Sequence, residues 1–335
     1  MIKHSESSEP KPIPFGESKE KGYFFPHKGR KGDGAFVFNS KLLLFGEYGL
    51  MYDAMALSVP FPEFSGFLDL DCNHTHPEST LEIRKFYEHL KNGDTSQQLH
   101  FSFDPERLEG DLARGLFFNS NIPQQYGVGS SGALVAALFS RYAANSVSKA
   151  DLVPEVLKVD FSLLESYFHG RSSGLDPLIS FLNKPLLIDS KKAIHTVPFD
   201  LAQTGLSIAL IDTLTTGATG PLVQHFIDRF NVPEFEKAFE TQFIPANNDC
   251  IRFLLNNNSE SFFIALEQLI RFELQYFRRM IPGDFHTVIS ESFGENVYIK
   301  LLGSGGGGFL LAFAESESIM LKWVKKYRYR LLKVV

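Results

Sequence analysis

The stretch Pro123 to Tyr142, PQQYGVGSSGALVAALFSRY, constrains the fold of this chain more than any other. It opens on a proline, interleaves Gly127, Gly129 and Gly132 with Ser130 and Ser131, and then runs without charge to Arg141. An apolar run that covers every helical face predicts a buried helix. The first N–H groups of a helix have no intrahelical partner and the macrodipole puts partial positive charge there, so an anion fits at its start. The glycines permit positive φ and close approach of a ligand. The serines are expected to cap the helix and to offer hydroxyls to a phosphate or its metal. For the loop in isolation, a glycine-rich turn capped by serine and binding nothing is the alternative.

A chain of 335 residues has room for two domains, and an apolar fraction of 44% is that of a globular protein with ample core. A formal charge of -6 without a basic stripe argues against a nucleic-acid partner. No apolar run approaches bilayer length, since GALVAALF stops at Ser140 and Arg141, so no membrane partner is expected. Only Cys72 and Cys250 are present, with no CxxC and no Cys/His ligand spacing, which predicts neither a disulfide framework nor a zinc site. A reducing, cytoplasmic setting follows. Residues 1–34, rich in Lys, Glu, Ser, Pro and Gly, predict a flexible arm.

Along the chain, Ala35 to Phe45 reads as a strand broken at Asn39-Ser40, with Lys41 inside its apolar part. Further strands are expected over Ala54 to Pro60 and Ser65 to Asp71. Amphipathic spacing predicts a helix over Ser79 to Lys91, and Asp104 to Phe118 reads as another. Leu152 to Phe168 is a long helix with Pro154 near its first turn. Short strands follow at Pro185 to Asp189 and Ala193 to Val197. A boundary near Gln203 separates a first domain over 35–203 from a second over 204–335. The second starts on a strand at Leu206 to Asp212. Helices are expected over Pro221 to Phe230, Pro233 to Leu255 and Ser259 to Met280. Strands at Asn296 to Leu302 and Phe309 to Phe313, a helix through Trp323 and a last strand in Arg330 to Val335 complete a small α+β domain.

Two further segments bear on chemistry. In KLLGSGGGGFLLAF, Lys300 to Phe313, five glycines and a serine separate two apolar runs. A hairpin turn needs fewer, so the tract predicts close backbone approach to a phosphate, a substrate or the opening helix; a loose β connection is the alternative. In ESYFHGRSSGLDP, Glu165 to Pro177, Glu165 and His169 are spaced for one helix face. Asp176-Pro177 fits either a helix N-cap followed by proline or a functional carboxylate. Two phosphate-friendly loops, Glu165 as a candidate magnesium ligand, Asp176 as a second carboxylate and Lys41 form the set that phosphoryl transfer needs. Magnesium takes oxygen ligands, so a serine hydroxyl from Ser130 or Ser131, Glu165 and nucleotide oxygens would suffice.

In order and character these segments resemble the motifs of the GHMP kinases, the small-molecule kinases of galactose, homoserine, mevalonate and phosphomevalonate. KLLLFGEYGLMYDAMALSVP is similar to the first motif, PQQYGVGSSGALVAA to the second and KLLGSGGGGFLLAF to the third, so the likeness spans Lys41 to Phe313. HGRSSGLDP is most similar to the mevalonate kinase segment. The resemblance implies an α+β fold of two domains, ribosomal-S5-like at the N-terminus and ferredoxin-like at the C-terminus, with ATP and acceptor between them. It implies that Asp176 is the catalytic aspartate, that Lys41 pairs with it, and that Glu165 with Ser130 or Ser131 holds Mg2+. It assigns Gly127, Val128, Gly129, Ser130, Ser131 and Gly132 to the phosphate loop, and Glu47, Tyr48, His169, Thr219, Gly305 and Gly306 to the acceptor side. Asn39-Ser40 stands in place of the usual Pro-Gly before the lysine, and Tyr48 in place of the histidine typical of mevalonate kinases. Gly217 stands where that pattern carries a basic residue, while GEY and YGVGSSGA are closer to phosphomevalonate kinases. Mevalonate is the first expectation for the acceptor; phosphomevalonate, a sugar or an amino alcohol, and a ligand-binding relative without turnover, are the alternatives. A homodimer is left open.

GVGSSG also satisfies GxGxxG, the dinucleotide fingerprint. That fingerprint should follow a β-strand directly and be answered by an acidic residue at the next strand end, but NSNIPQQY reads as no strand and the region around Asp151 opens a helix.

Overall fold

The computed structural model describes residues 30–31, 35–93, 98–143, 153–190, 192–217 and 219–335. Strand β1 (Arg30–Lys31) pairs antiparallel with β2 (Ala35–Phe36), and the rest of the expected arm lies outside the described residues.

The first sheet is antiparallel and is organised on one long strand. Strand β3 (Phe38–Phe45) lies along β4 (Ala56–Leu70), whose far end pairs with β5 (Leu116–Ser120) and whose near end pairs with β6 (Leu186–Ile188). Strand β7 (Ile194–Thr196) closes the other edge of β6. The two strands expected over Ala54 to Asp71 are therefore one. The reason lies opposite Asn39-Ser40, where the register jumps from Asn39↔Ser65 to Ser40↔Phe61. Ser40 donates its hydroxyl to the Phe61 carbonyl at 2.9 Å, and Asn121 takes the Ser65 N–H at 2.7 Å, so β4 continues through its two prolines with these groups satisfied.

Helices cover this sheet. They are α1 (Pro77–Asn92), α2 (Pro105–Ala113), α3 (Ser130–Tyr142), α4 (Pro154–His169) and α5 (Leu175–Leu182). α3 and α5 pack on each other and on β3 and β4. The single helix expected over Asp104 to Phe118 is corrected to α2 followed by β5. Asp104 caps α2 by accepting from the Arg107 N–H at 3.0 Å, and the chain leaves the helix through Gly115 at φ 77°. A Cβ at Gly115 would sit 2.0 Å from the Asp71 carbonyl oxygen, so glycine is required where the chain turns into β5.

The second sheet has the order β11 (Leu331–Lys333), β8 (Ser207–Asp212), β10 (Phe309–Ala314), β9 (Tyr298–Leu301), all antiparallel. The helices of this half are α6 (Thr219–Phe230), α7 (Pro233–Ala238), α8 (Ile244–Leu255), α9 (Ser259–Tyr276), α10 (Phe285–Ser292) and α11 (Glu317–Tyr327). The continuous helix expected over Pro233 to Leu255 contains a widened π-helical turn at Phe239–Phe243. Pro245 lacks an N–H and its ring would strike the carbonyl four residues back, and the wider turn relieves both. That turn brings Phe239 over Phe243, 4.5 Å between ring centroids, within an aromatic core that also stacks Phe226 on Tyr48 at 4.6 Å. Helix α10 was not expected, although Phe285, Val288 and Ile289 carry helical spacing. The expected α+β class in two parts is thus observed.

Candidate active site

Helix α3 starts where the first-half sheet meets the glycine tract of the second half. All residues from Gly132 to Phe139 are buried, which fixes the helix in the core and points its N-terminus at an open cavity. The N-cap is Gly129 at φ 81°, with no side-chain cap, which corrects the expectation that a serine caps this helix. Glycine is required at that position: a Cβ would meet Lys41 Cγ at 2.9 Å and Asp176 Oδ2 at 3.5 Å. The loop is tied to β3 by the Lys41 N–H, which donates to the Val128 carbonyl at 3.0 Å.

Lys41 and Asp176 form an ion pair across this helix start, Nζ to Oδ1 3.1 Å, the lysine buried and the aspartate one-third exposed. Asp176 is not an N-cap, because Gly174 holds that place at φ 73°. Its main chain packs on Gly132, where a Cβ would lie 2.7 Å from the Asp176 carbonyl carbon. Two glycines of the loop thus let α3 approach α5 closely enough for the carboxylate to face Lys41.

Glu165 reaches the same place from α4. It is buried and accepts from Ser131 Oγ at 3.0 Å and from Ser172 Oγ. Burial and the neighbouring Asp176 charge push its carboxyl up to about 8, against the pull of the two serine hydroxyls and Lys41. Ser172 carried no role in the sequence reading, and its place between His169 and Asp176 is the one signal that could have assigned it. The turn that delivers it depends on Gly174, where a Cβ would sit 2.2 Å from the Lys158 carbonyl oxygen. Gly174→Ala is expected to lower stability by at least ~1–3 kcal/mol in chemical denaturation and to lower activity with it, because Asp176 is two residues on.

The cavity has a volume of about 790 Å³ and is walled by Lys41, Glu165, Asp176, residues 127–131 and, from the other half, Gly303 and Ser304. Its far end is bounded by α1 and β5, with Glu78, Glu82 and Phe118 on the wall. The glycine tract makes the close approach expected of it, and the approach is to the opening loop. A Cβ on Gly127 would lie 3.1 Å from the Leu302 carbonyl oxygen, and one on Gly308 2.6 Å from Tyr126 Cα.

Four of the acceptor-side candidates, Glu47, Tyr48, Gly305 and Gly306, are not among the residues that wall this cavity. Glu47 is buried in an ion pair with Lys300, and Tyr48 Oη donates to the Ser304 carbonyl at 2.6 Å from behind the tract. Gly305 and Gly306 pack away from the cavity, toward Met280 and Leu222 respectively. His169 ends α4 and Thr219 begins α6, but their side chains lie outside the described residues.

Among the described residues no three His, Cys, Asp or Glu side chains are grouped to hold a metal ion by themselves. A Mg2+ ion fits the donor set as an ion shared with a nucleotide: Glu165 is a buried carboxylate short of positive charge, and the serines beside it supply neutral oxygens. Among the described residues no helix is long and apolar enough to cross a membrane.

The antiparallel pairing of β4 and β5, and the loop 121–129 between β5 and α3, set this site apart from a dinucleotide-binding βαβ unit. Solved structures decide the architecture. The Leishmania major (L. major) mevalonate kinase, solved with R-mevalonate, superposes with a TM-score of 0.60 at 16% identity, covering 92% of this chain and 97% of that one. This is the GHMP kinase fold. A Streptococcus pneumoniae phosphomevalonate kinase in complex with phosphomevalonate and AMPPNP gives 0.59 at 14% identity, covering 89% and 98%. A Lactococcus lactis galactokinase complexed with galactose gives 0.57 at 13%, covering 95% and 94%. No protein-family model and no curated protein matches the sequence. In this GHMP kinase fold the three glycine-bearing segments of the chain lie in contact, with Gly129 on Lys41 and Gly127 on Leu302.

Proposed function

We propose that the chain is an ATP-dependent kinase that phosphorylates the hydroxyl of a small alcohol, with mevalonate the first candidate and 5-phosphomevalonate the product. The observation that carries this reading is the Lys41–Asp176 pair, 3.1 Å apart at the mouth of α3 and on the wall of the cavity. The N–H groups at the start of α3 face the phosphates, and the glycines of residues 127–132 let them approach. Asp176 orients the acceptor hydroxyl and takes its proton as the oxygen bonds to the γ-phosphorus and ADP leaves. Lys41 countercharges that carboxylate and the transferring phosphoryl group. Glu165, with Ser130 or Ser131, would hold Mg2+, which when bound neutralises charge on the phosphate oxygens.

An unphosphorylated acceptor suits the charges of the cavity. Among the described residues that wall it, Lys41 and Arg171 are the cations, against Glu78, Glu82, Glu165 and Asp176. A phosphorylated acceptor calls for cations beyond those that serve the nucleotide. The phosphomevalonate reading draws on the wording of YGVGSSGA. Coupled ADP release separates the two. It is expected with mevalonate and not with phosphomevalonate; the reverse pattern overturns the choice of acceptor. A binding protein without turnover would take up nucleotide in calorimetry yet release no ADP with any alcohol.

A further inference from the structure

Behind the glycine tract lies a charged cluster that the transfer itself does not use. Lys300, in β9, is fully buried, as are Glu47 and Glu273. Its ammonium donates to Glu47 Oε1 and to the Leu301 carbonyl at 2.6 Å, while the Leu301 N–H donates to Glu273 Oε2 at 3.0 Å. Both main-chain polar groups of Leu301 are thus held by buried polar side chains. One residue beyond Glu47, Tyr48 donates to the Ser304 carbonyl at 2.6 Å. Between these two holds lies the Leu302 carbonyl, packed on Gly127 of the phosphate loop, and Gly303 and Ser304 form cavity wall. The segment from Gly46 to Tyr48 follows β3, the strand that carries Lys41.

Burying three ionisable side chains, two of them as an ion pair, is costly unless geometry repays it, and well-packed apolar residues of similar volume are often as stable or more so. Stability therefore does not account for the cluster, whereas its contacts converge on one short piece of backbone. We propose that Lys300, Glu47 and Tyr48 form a latch that sets residues 301–304 of the second half against the phosphate loop of the first, and that Lys300 and Tyr48 are positioning residues for phosphoryl transfer. This rests on the kinase reading above. The phosphate loop and α3 belong to the first half and are tied there by the Lys41 N–H to Val128 carbonyl bond, so nucleotide affinity does not depend on the latch. Alignment of the two halves does.

The test uses the full chain with two variants. Tyr48→Phe keeps the ring that stacks on Phe226 and loses the bond to Ser304. Glu47→Gln with Lys300→Met removes the ion pair without leaving either charge alone. For each, kcat is expected to fall by ~10- to 100-fold, the scale of a small misplacement of reacting groups, with the nucleotide Kd changed by less than ~3-fold. Amide hydrogen exchange over residues 301–304 is expected to quicken in both. A kcat within ~2-fold of the parent in both variants, or a loss that appears only as weaker nucleotide binding, overturns the proposal. A parent chain without turnover but with exchange that responds to the variants would remove the kinase reading and leave the latch. Exchange that does not respond removes the latch, whatever the turnover.

Discussion

Asp176→Asn is expected to cut turnover by at least ~100-fold, the loss typical of a positioned acid–base group. Asparagine keeps the size of the side chain and its place on α5, but it cannot take the hydroxyl proton. Nucleotide affinity is expected to stay within ~3-fold, because the loss falls on a contact made in the transition state. The substitution also leaves the buried Lys41 ammonium facing a neutral amide, so a fall in Tm is expected alongside. Lys41→Met should reproduce the loss of turnover by removing the other half of the pair. Steady-state kinetics with calorimetry on the same preparations checks this. Near-normal turnover in Asp176→Asn would remove that residue from the mechanism.

Glu165→Gln is expected to move activity and stability in opposite directions. Turnover should fall by at least ~10-fold and half-saturation by Mg2+ should rise, since an anionic oxygen ligand is lost. Stability of the nucleotide-free chain should rise at neutral pH. The sign follows from proton binding: the folded chain holds the Glu165 proton up to about 8, against an ordinary value of 4.5, so it binds more protons than the unfolded chain between these values. Its stability therefore declines as pH rises from about 4.5 through about 8, and the amide variant lacks that share of the decline. Glu273, also raised to about 8 by burial, contributes with the same sign in both proteins, so the difference between them isolates Glu165. Thermal melts in chelator from pH 5 to 8 read this. Parallel curves, with no gain for the variant at the alkaline end, would contradict it. Such a trade is usual where a site carries charge that its ligand is meant to meet.

The parts of the site that could be read from the sequence are those whose signal is local. Gly127 to Gly132 ahead of an apolar run specify a helix start open to an anion, and the residue types of Glu165, Asp176 and Lys41, with the resemblance of their segments to the GHMP kinase motifs, grouped them. The fold reversed one detail of that loop, since Gly129 rather than a serine is the N-cap, and Ser131 bonds Glu165. What was not legible depends on partners far along the chain. The resemblance of the first motif implied an acceptor-side place for Glu47, and it gave no sign of the ion-pair partner 253 residues away. A lysine in the middle of the apolar run YIKLL was the one local hint of such a partner. Element boundaries failed for similar reasons. The strand expected to end at Pro60 runs on, because Ser40 and Asn121 satisfy the groups around it. Gly115 lay inside the helix expected over Asp104 to Phe118, and the approach of Asp71 that makes it a turn comes from a distant segment.

The most direct measurement is 31P NMR of the wild-type chain with MgATP and mevalonate, followed by the same mixture with Asp176→Asn. A new phosphomonoester resonance growing in step with ADP in the first sample, and absent from the second over the same time, is the predicted result. Nucleotide binding by calorimetry with no phosphoester formed from mevalonate or any alcohol of a sugar and amino-alcohol panel, and no diphosphate formed from phosphomevalonate, would contradict it.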